Sequence, residues 1–287
     1  MKSQLQVVNF EITNGCNYNC RICGDEKKRL VHFMDPEIFH EVLERYKIEH
    51  PENLPEIRLF LSGEPTTHPD FLKFISICNI LGYNCLVHTN GSLWRSEFSE
   101  HLKSLPNDKS VTTISFSLDG YDENTYELTR GIRNRGNIAL RIKDHCERVY
   151  ESKNIKTVIQ SIIPNGIMYD VPDVNLIQAY NEIMFLNSRT YVRKTHNWDN
   201  GPTDNCNYQY PKQCSFPFNT LVLYSNWQVG KCCADLNAKC TFGDFFDAPF
   251  YGNIYEAFNG VRMNEIRNRM TKQEHIEHCC TCERYMI

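Results

Sequence analysis

No stretch of this sequence reaches the roughly 18 uninterrupted apolar residues that a membrane-spanning helix needs. Its first residues, MKSQLQVVNFEIT, hold neither a long apolar core nor a small-residue cleavage site. Membrane and secretory classes are set aside, and a soluble cytoplasmic protein with no membrane partner is expected. A run of Lys and Arg that would serve as a phosphate-binding stripe is also missing. With a net charge of −4 and a pI near 6.2, this argues against nucleic acid as a partner. There is no internal repeat and no low-complexity tract. At 287 residues the chain has room for one large domain, or a main domain with a small appendage.

Cysteine, by contrast, is abundant. Fourteen cysteines without a secretion signal fit metal binding better than a disulfide framework. Cys16, Cys20 and Cys23 cluster at the front; Cys206, Cys214, Cys232, Cys233 and Cys240 come late; Cys279, Cys280 and Cys282 lie near the end. Cys78, Cys85 and Cys146 stand alone and read as small buried hydrophobes. The front trio is the informative one. A structural zinc site closes its tetrahedron with four ligands, so three thiolates on one short loop either borrow a distant ligand or leave a position open.

Runs rich in Val, Ile, Thr, Phe and Tyr predict strands at 5–12, 57–62, 84–89, 112–118, 156–163 and 189–194. Helical stretches alternate with them, such as 35–48, where Asp35 is placed at N-cap and Pro36 at N1. Six β/α units in series imply a parallel sheet curling as an incomplete barrel, a partial (β/α)6 TIM-type fold. After about residue 200 the pattern changes to a loop rich in Asn, Pro and Gly, a hairpin turning near Ser225-Asn226, a helix over 254–270 and the terminal HCCTC. The expected division is residues 1–200 for the main domain and 201–287 for a cysteine-bearing appendage.

In parallel α/β folds the loops after strand C-termini build the active site. Four motifs fall there in order: CNYNCRIC (16–23), LSGEP (61–65), HTNG (88–91) and SLDG (117–120). Each short piece alone is a common turn, and their coincidence is the signal. Together they resemble the radical S-adenosylmethionine (SAM) superfamily, whose CxxxCxxC motif holds a 4Fe-4S cluster with one iron left for SAM. The resemblance implies that Cys16, Cys20 and Cys23 ligate the cluster. It implies that the turn Ser62, Gly63, Glu64, Pro65 holds the methionyl ammonium, with Ser62 standing where the family has Gly. It further implies that Asn90, Ser117 and Asp119 contact SAM and that Arg130 meets its carboxylate. One departure is Ile22, where an aromatic residue usually precedes the third cysteine and stacks on adenine.

The later segment resembles the SPASM/twitch extension, in which a cysteine precedes a hairpin, another follows it, and a CxxC closes the pattern. This implies a second, auxiliary 4Fe-4S cluster on Cys214, Cys232, Cys279 and Cys282, with Cys233 the alternative to Cys232. With only five residues after Cys282, the single-cluster twitch version is expected. Zinc is the alternative occupant of four thiolates. Trp227 stands where the family's hairpin usually has Gly.

The resemblance extends to the twitch dehydrogenase of aminoglycoside assembly. It implies a radical oxidoreductase acting on a small hydroxylated substrate, sugar or aminocyclitol, and an electron donor such as flavodoxin or ferredoxin. A radical epimerase using a spare thiol of Cys206, Cys233 or Cys240 is the runner-up, followed by a peptide-modifying maturase, for which Cys16 comes too early to leave room for a leader-binding domain. An iron-sulfur electron carrier is the non-enzyme alternative. His196 and Asp199, after the sixth strand, are candidates for hydroxyl binding or for the base.

Overall fold

The computed structural model describes residues 3–120, 122–163, 188–194, 214–272, 274, 276 and 279. Along the chain the elements run β1 (Val7–Phe10), α1 (Pro36–Glu49), β2 (Glu56–Arg58), a 3-10 turn (Pro65–Thr67), α2 (Phe71–Leu81), β3 (Cys85–Thr89), α3 (Ser96–Lys103), β4 (Thr112–Ser117), α4 (Glu123–Arg130) and α5 (Arg135–Val149). They continue with β5 (Ile155–Ile163), β6 (Ser188–Lys194), α6 (Phe216–Asn219), β7 (Thr220–Leu223), β8 (Gln228–Gly230), β9 (Thr241–Asp244), α7 (Ile254–Asn259) and α8 (Val261–Thr271). All six expected strands are present. The expected boundary between residues 200 and 201 lies outside the described residues. The folded chain forms two compact units, one of Met1–Asn14, Gly24–Gly63 and His196–Ile287, the other of Gly15–Cys23 and Glu64–Thr195.

In the first unit β1 is the central strand. It pairs in parallel with β2 (Val8 opposite Ile57) and with β7 (Val8 opposite Leu221), while β7, β8 and β9 continue as an antiparallel meander. Helix α1 starts as the sequence predicts, with the Asp35 carboxylate accepting from Glu37 N–H at 2.7 Å and Pro36 in the first turn. Its apolar face, Phe39, Val42, Leu43 and Tyr46, is buried, and Phe39 meets Phe10 edge to face at 4.8 Å. Two expectations are corrected here. Strand β2 ends at Arg58 rather than residue 62, because the chain turns to bring the Ser62 hydroxyl onto the Glu11 carboxylate at 2.5 Å. The helix expected over 254–270 is two, α7 and α8, separated by Gly260 in an extended conformation (φ −62°, ψ 165°) where a Cβ would press on the Glu256 carbonyl.

The hairpin turns as expected, with Trp227 at φ 62°, in the left-handed region that favours glycine. A β-substituted residue there is strained by about 1–2 kcal/mol. Stacking of the indole on Phe245 (5.9 Å) and its edge contact with Phe246 (5.1 Å) offset that strain. This accounts for a Trp where glycine would be the conformational choice.

In the second unit β3, β4, β5 and β6 form a parallel sheet, with Cys85 opposite Thr112, Thr112 opposite Ile155 and Thr157 opposite Ser188. Its core gathers Trp94, Phe116, Ile138 and Ile142, all essentially inaccessible. His145 is buried among them, edge-on to Trp94 at 5.1 Å, with Nδ1 bonded to Ser99 Oγ at 2.8 Å and no hydrogen-bond partner for Nε2 among the described residues. Burial therefore pushes its pKa down to about 4 from 6.5. Between those values the unfolded chain binds a proton that the folded one refuses, so stability falls as pH drops through the window, by about 1.4 kcal/mol per pH unit. Urea midpoints at pH 5 and 7 are expected to differ less in His145→Gln than in the parent, once other groups' common contribution is subtracted; equal differences would remove His145 as the cause.

Candidate functional site

The second unit holds the front cysteines. Cys16 and Cys20 are half-buried, and Cys23 is exposed. Their loop is fixed by neighbours at several strand ends. Asn17 donates to Ser92 Oγ (2.8 Å) and accepts from Asn90 Nδ2 (3.0 Å), which ties the loop to the turn after β3. The Tyr18 hydroxyl accepts from Asn134 Nδ2 at 3.1 Å, and Arg21 N–H donates to the Thr129 carbonyl at 2.9 Å, which docks the loop on α4 and the start of α5.

Glu64 is the centre of this arrangement. Its backbone N–H donates to the Gly15 carbonyl at 2.8 Å, one residue before Cys16. Its buried carboxylate accepts at Oε1 from Thr66 N–H (3.1 Å), Thr66 Oγ1 (2.6 Å) and Thr89 Oγ1 (2.6 Å), and at Oε2 from Asn90 N–H (2.6 Å). Burial raises its pKa, and the four donors oppose that shift. Carboxylate oxygens together offer about four acceptor directions. Oε1 is crowded, whereas Oε2 takes one bond among the described residues and has room for another donor.

At the end of β4, Ser117 and Asp119 are buried, and Gly120 (φ 66°) makes a turn that a Cβ could not, because it would collide with the Thr125 side chain. Asp119 and Arg130, both expected as SAM contacts, lie against each other. Arg130 Nε lies 2.5 Å from Asp119 Oδ2, and Nη1 donates to Cys20 Sγ at 3.5 Å. Burial disfavours the guanidinium charge, but Asp119 and Cys20 outweigh it and raise the Arg130 pKa.

The rear cysteines lie in the first unit. Cys214 and Cys232 are buried; Cys233, Cys240 and Cys279 are half-buried. The Asp235 carboxylate shapes the loop between them by accepting from Lys239 N–H (2.9 Å) and Cys240 N–H (2.8 Å). Lys231 is buried beside this set. Burial works against its charge, yet Cys279, Cys232, Cys240 and Asp235 more than compensate and raise its pKa. Cys206, Cys280, Cys282, His196 and Asp199 lie outside the described residues.

Sequence reasoning missed an ion pair in the same unit, between the wholly buried Glu11 and the half-buried Arg29. Arg29 holds Glu11 with two bonds (2.8 and 2.6 Å) and also donates to Ser62 Oγ and the Leu236 carbonyl, while Ser225 donates to Glu11 through N–H and Oγ. Nothing in DEKKRL distinguishes Arg29 from a solvated charge. Thr89 was legible only as the residue preceding Asn90 in HTNG.

Among the described residues no three His, Cys, Asp or Glu side chains converge on a single metal ion. A 4Fe-4S cluster asks for something else, one thiolate on each of several irons. Three cysteines on one braced loop, with a guanidinium at one sulfur, fit that requirement at the front. At the rear, Cys232, Cys240 and Cys279 face the buried ammonium of Lys231.

The family model described as "Radical SAM superfamily" matches residues 10–171. A curated relative, the 7,8-dihydro-6-hydroxymethylpterin dimethyltransferase of Methanocaldococcus jannaschii, is 27% identical over 189 residues, 63% of this chain and 36% of its own length. The chain thus spans about a third of that relative. Among solved structures, BtrN in complex with AdoMet and 2-DOIA aligns with a TM-score of 0.61 at 15% identity, over 98% of this chain and 94% of that one. SuiB of Streptococcus suis bound to precursor peptide SuiA aligns with a TM-score of 0.61 at 15% identity, over 96% and 76%. These likenesses concern the fold, and the partial-barrel α/β class expected from the strand series is the one found.

Replacing Glu64 with Gln puts an amide NH2 against at least one of the donors now facing the carboxylate. Glu64→Gln is expected to lose about 1–3 kcal/mol of stability without any ligand. A ligand-free urea midpoint equal to that of the parent would show that the carboxylate does not brace the turn.

Proposed function

The chain belongs to the radical SAM superfamily, and from that premise we propose that it is an oxidoreductase that dehydrogenates a small hydroxylated molecule of the sugar or aminocyclitol class. The family implies SAM and a 4Fe-4S cluster as cofactors. SAM held at the reduced cluster supplies a 5'-deoxyadenosyl radical, which takes a hydrogen atom from an unreactive C–H bond. The observation that carries the reading is the bracing of the cysteine loop by Glu64, Asn90 and Arg130 from the ends of successive elements. An electron carrier has no need of such a set.

On this reading Cys16, Cys20 and Cys23 hold the cluster. Glu64 Oε2 and the backbone of Gly63 and Pro65 receive the methionyl ammonium, Ser62 bracing that turn from Glu11, and Asn90 and Ser117 border the same site. Asp119 acts through Arg130. Cys214, Cys232, Cys279 and Cys282 would hold an auxiliary 4Fe-4S cluster offering an electron-accepting centre, as oxidation requires. The buried Lys231 supports an anionic site there, since an ammonium removed from water needs negative partners. His196 and Asp199 remain the candidates for the base, and flavodoxin or ferredoxin for the reductant.

A second reading, radical epimerisation, rests on one observation: Cys233 and Cys240 are half-buried in the loop that follows β8, next to Cys232, where a thiol would be placed to return a hydrogen atom. A peptide-modifying maturase is the third. Among the described residues no helix is long and apolar enough to cross a membrane.

Anaerobically reconstituted protein is expected to carry about eight irons, the Cys16, Cys20 and Cys23 triple Ala variant about four, and Cys282→Ala about four. The triple variant is expected to make no 5'-deoxyadenosine, whereas Cys282→Ala still makes some but releases no oxidised product. Cleavage of SAM by the triple variant, or zinc on the rear cysteines, would overturn the respective assignment. Deuterium transfer into 5'-deoxyadenosine from a panel of labelled sugars, aminocyclitols and peptides identifies the substrate class; stalling by Cys233→Ala or Cys240→Ala with Cys282 intact would favour the epimerase.

A further inference from the structure

Arg130 is the last residue of α4, and its side chain is 11% exposed. Two neighbours fix the guanidinium. On one side Nε lies against Asp119 Oδ2, whose carboxylate is wholly buried; on the other Nη1 donates to Cys20 Sγ at 3.5 Å, within reach for a sulfur acceptor. The backbone keeps the two elements in register, since Arg21 N–H, one residue after Cys20, donates to the carbonyl of Thr129, one residue before Arg130. The end of the helix is equally defined, because Gly131 takes φ 74° and its N–H donates to the Glu127 carbonyl. A guanidinium is always charged, and its rigid fork lets it hold a carboxylate and a second acceptor together.

We propose that Arg130 sets the reduction potential of the front cluster through Cys20. Reduction adds one electron, and with it one negative charge, to the cluster and its thiolates. A fixed cation hydrogen-bonded to one of those sulfurs stabilises the reduced state more than the oxidised one and raises the potential. Asp119 is the brace that stops the guanidinium from swinging away, which accounts for the burial of the aspartate of SLDG. The inference rests on the reading that Cys16, Cys20 and Cys23 hold the cluster, and iron loss in their triple variant tests that reading separately.

The experiment is an EPR-monitored titration of the reconstituted full chain with dithionite as the one-electron reductant. It is done without SAM, and the front signal is identified afterwards as the one that SAM perturbs. In Arg130→Gln carrying its full iron, the reduced-to-oxidised ratio of that cluster at a fixed potential is expected to fall about tenfold, a downward shift of about 59 mV. Arg130→Lys keeps the charge but cannot reach Asp119 and Cys20 at once, so an intermediate fall is expected; it also provides the measurement if the Gln variant does not take up iron. A SAM-free potential unchanged in the variant measured overturns the proposal. Weaker SAM binding with that potential unchanged would make Arg130 a contact of the SAM carboxylate instead.

Discussion

Glu64 Oε1 takes three hydrogen bonds and Oε2 takes one, from Thr66, Thr89 and Asn90, while the backbone N–H of the same residue donates to the carbonyl before Cys16. A carboxylate buried this deeply must find such donors, because an unsolvated charge without them costs several kcal/mol. Satisfying it forces the exit of β3, the 3-10 turn and the start of the cysteine loop into one arrangement. Asn90 then passes the constraint on to Asn17 inside that loop, and Asn17 to Ser92. The loop is thereby held by the chain's own hydrogen bonds, and a loop so ordered carries a lower ordering cost for any binding there.

The first unit has a counterpart in Glu11 and Arg29. The pair is bidentate, with Glu11 wholly buried and Arg29 half-buried, and both Ser62 and Ser225 complete the carboxylate's coordination. Breaking such a pair by removing one partner strands the other charge, so each member constrains the rest. The substitution of Ser for Gly in the SGEP turn acquires a reason here: the hydroxyl at position 62 serves Glu11. Arg29 also holds the Leu236 carbonyl, which anchors the loop that carries Cys232 to Cys240. The end of β1 and the rear cysteine loop therefore share one electrostatic centre within this unit.

Departures from family pattern prove informative in this way. Trp227 occupies a left-handed turn position and is retained by aromatic contacts with Phe245 and Phe246. Asp119 and Arg130, which the motif associates with the ligand, also lie against each other, and Arg130 donates to Cys20. In each case a residue judged by its place in a motif turns out to be governed by a neighbour distant in sequence.

What the sequence by itself determined was local or periodic. Asp35-Pro36 announced the start of α1, β-branched runs announced six strands, and the order of CxxxCxxC, SGEP, HTNG and SLDG at strand ends pointed to the family, because caps, alternation and turn chemistry act over a few residues. Only the tertiary structure decided the partners of buried charges. Arg29 and Arg130 are 18 and 110 residues from Glu11 and Cys20, a separation across which no pattern in one chain reports contact. It also decided the break at Gly260, where helical spacing continues through the glycine but the Glu256 carbonyl leaves no space for a side chain. Desolvation is the common physical reason: a charge or a polar group chooses its partner only once the fold has removed the water that would otherwise satisfy it.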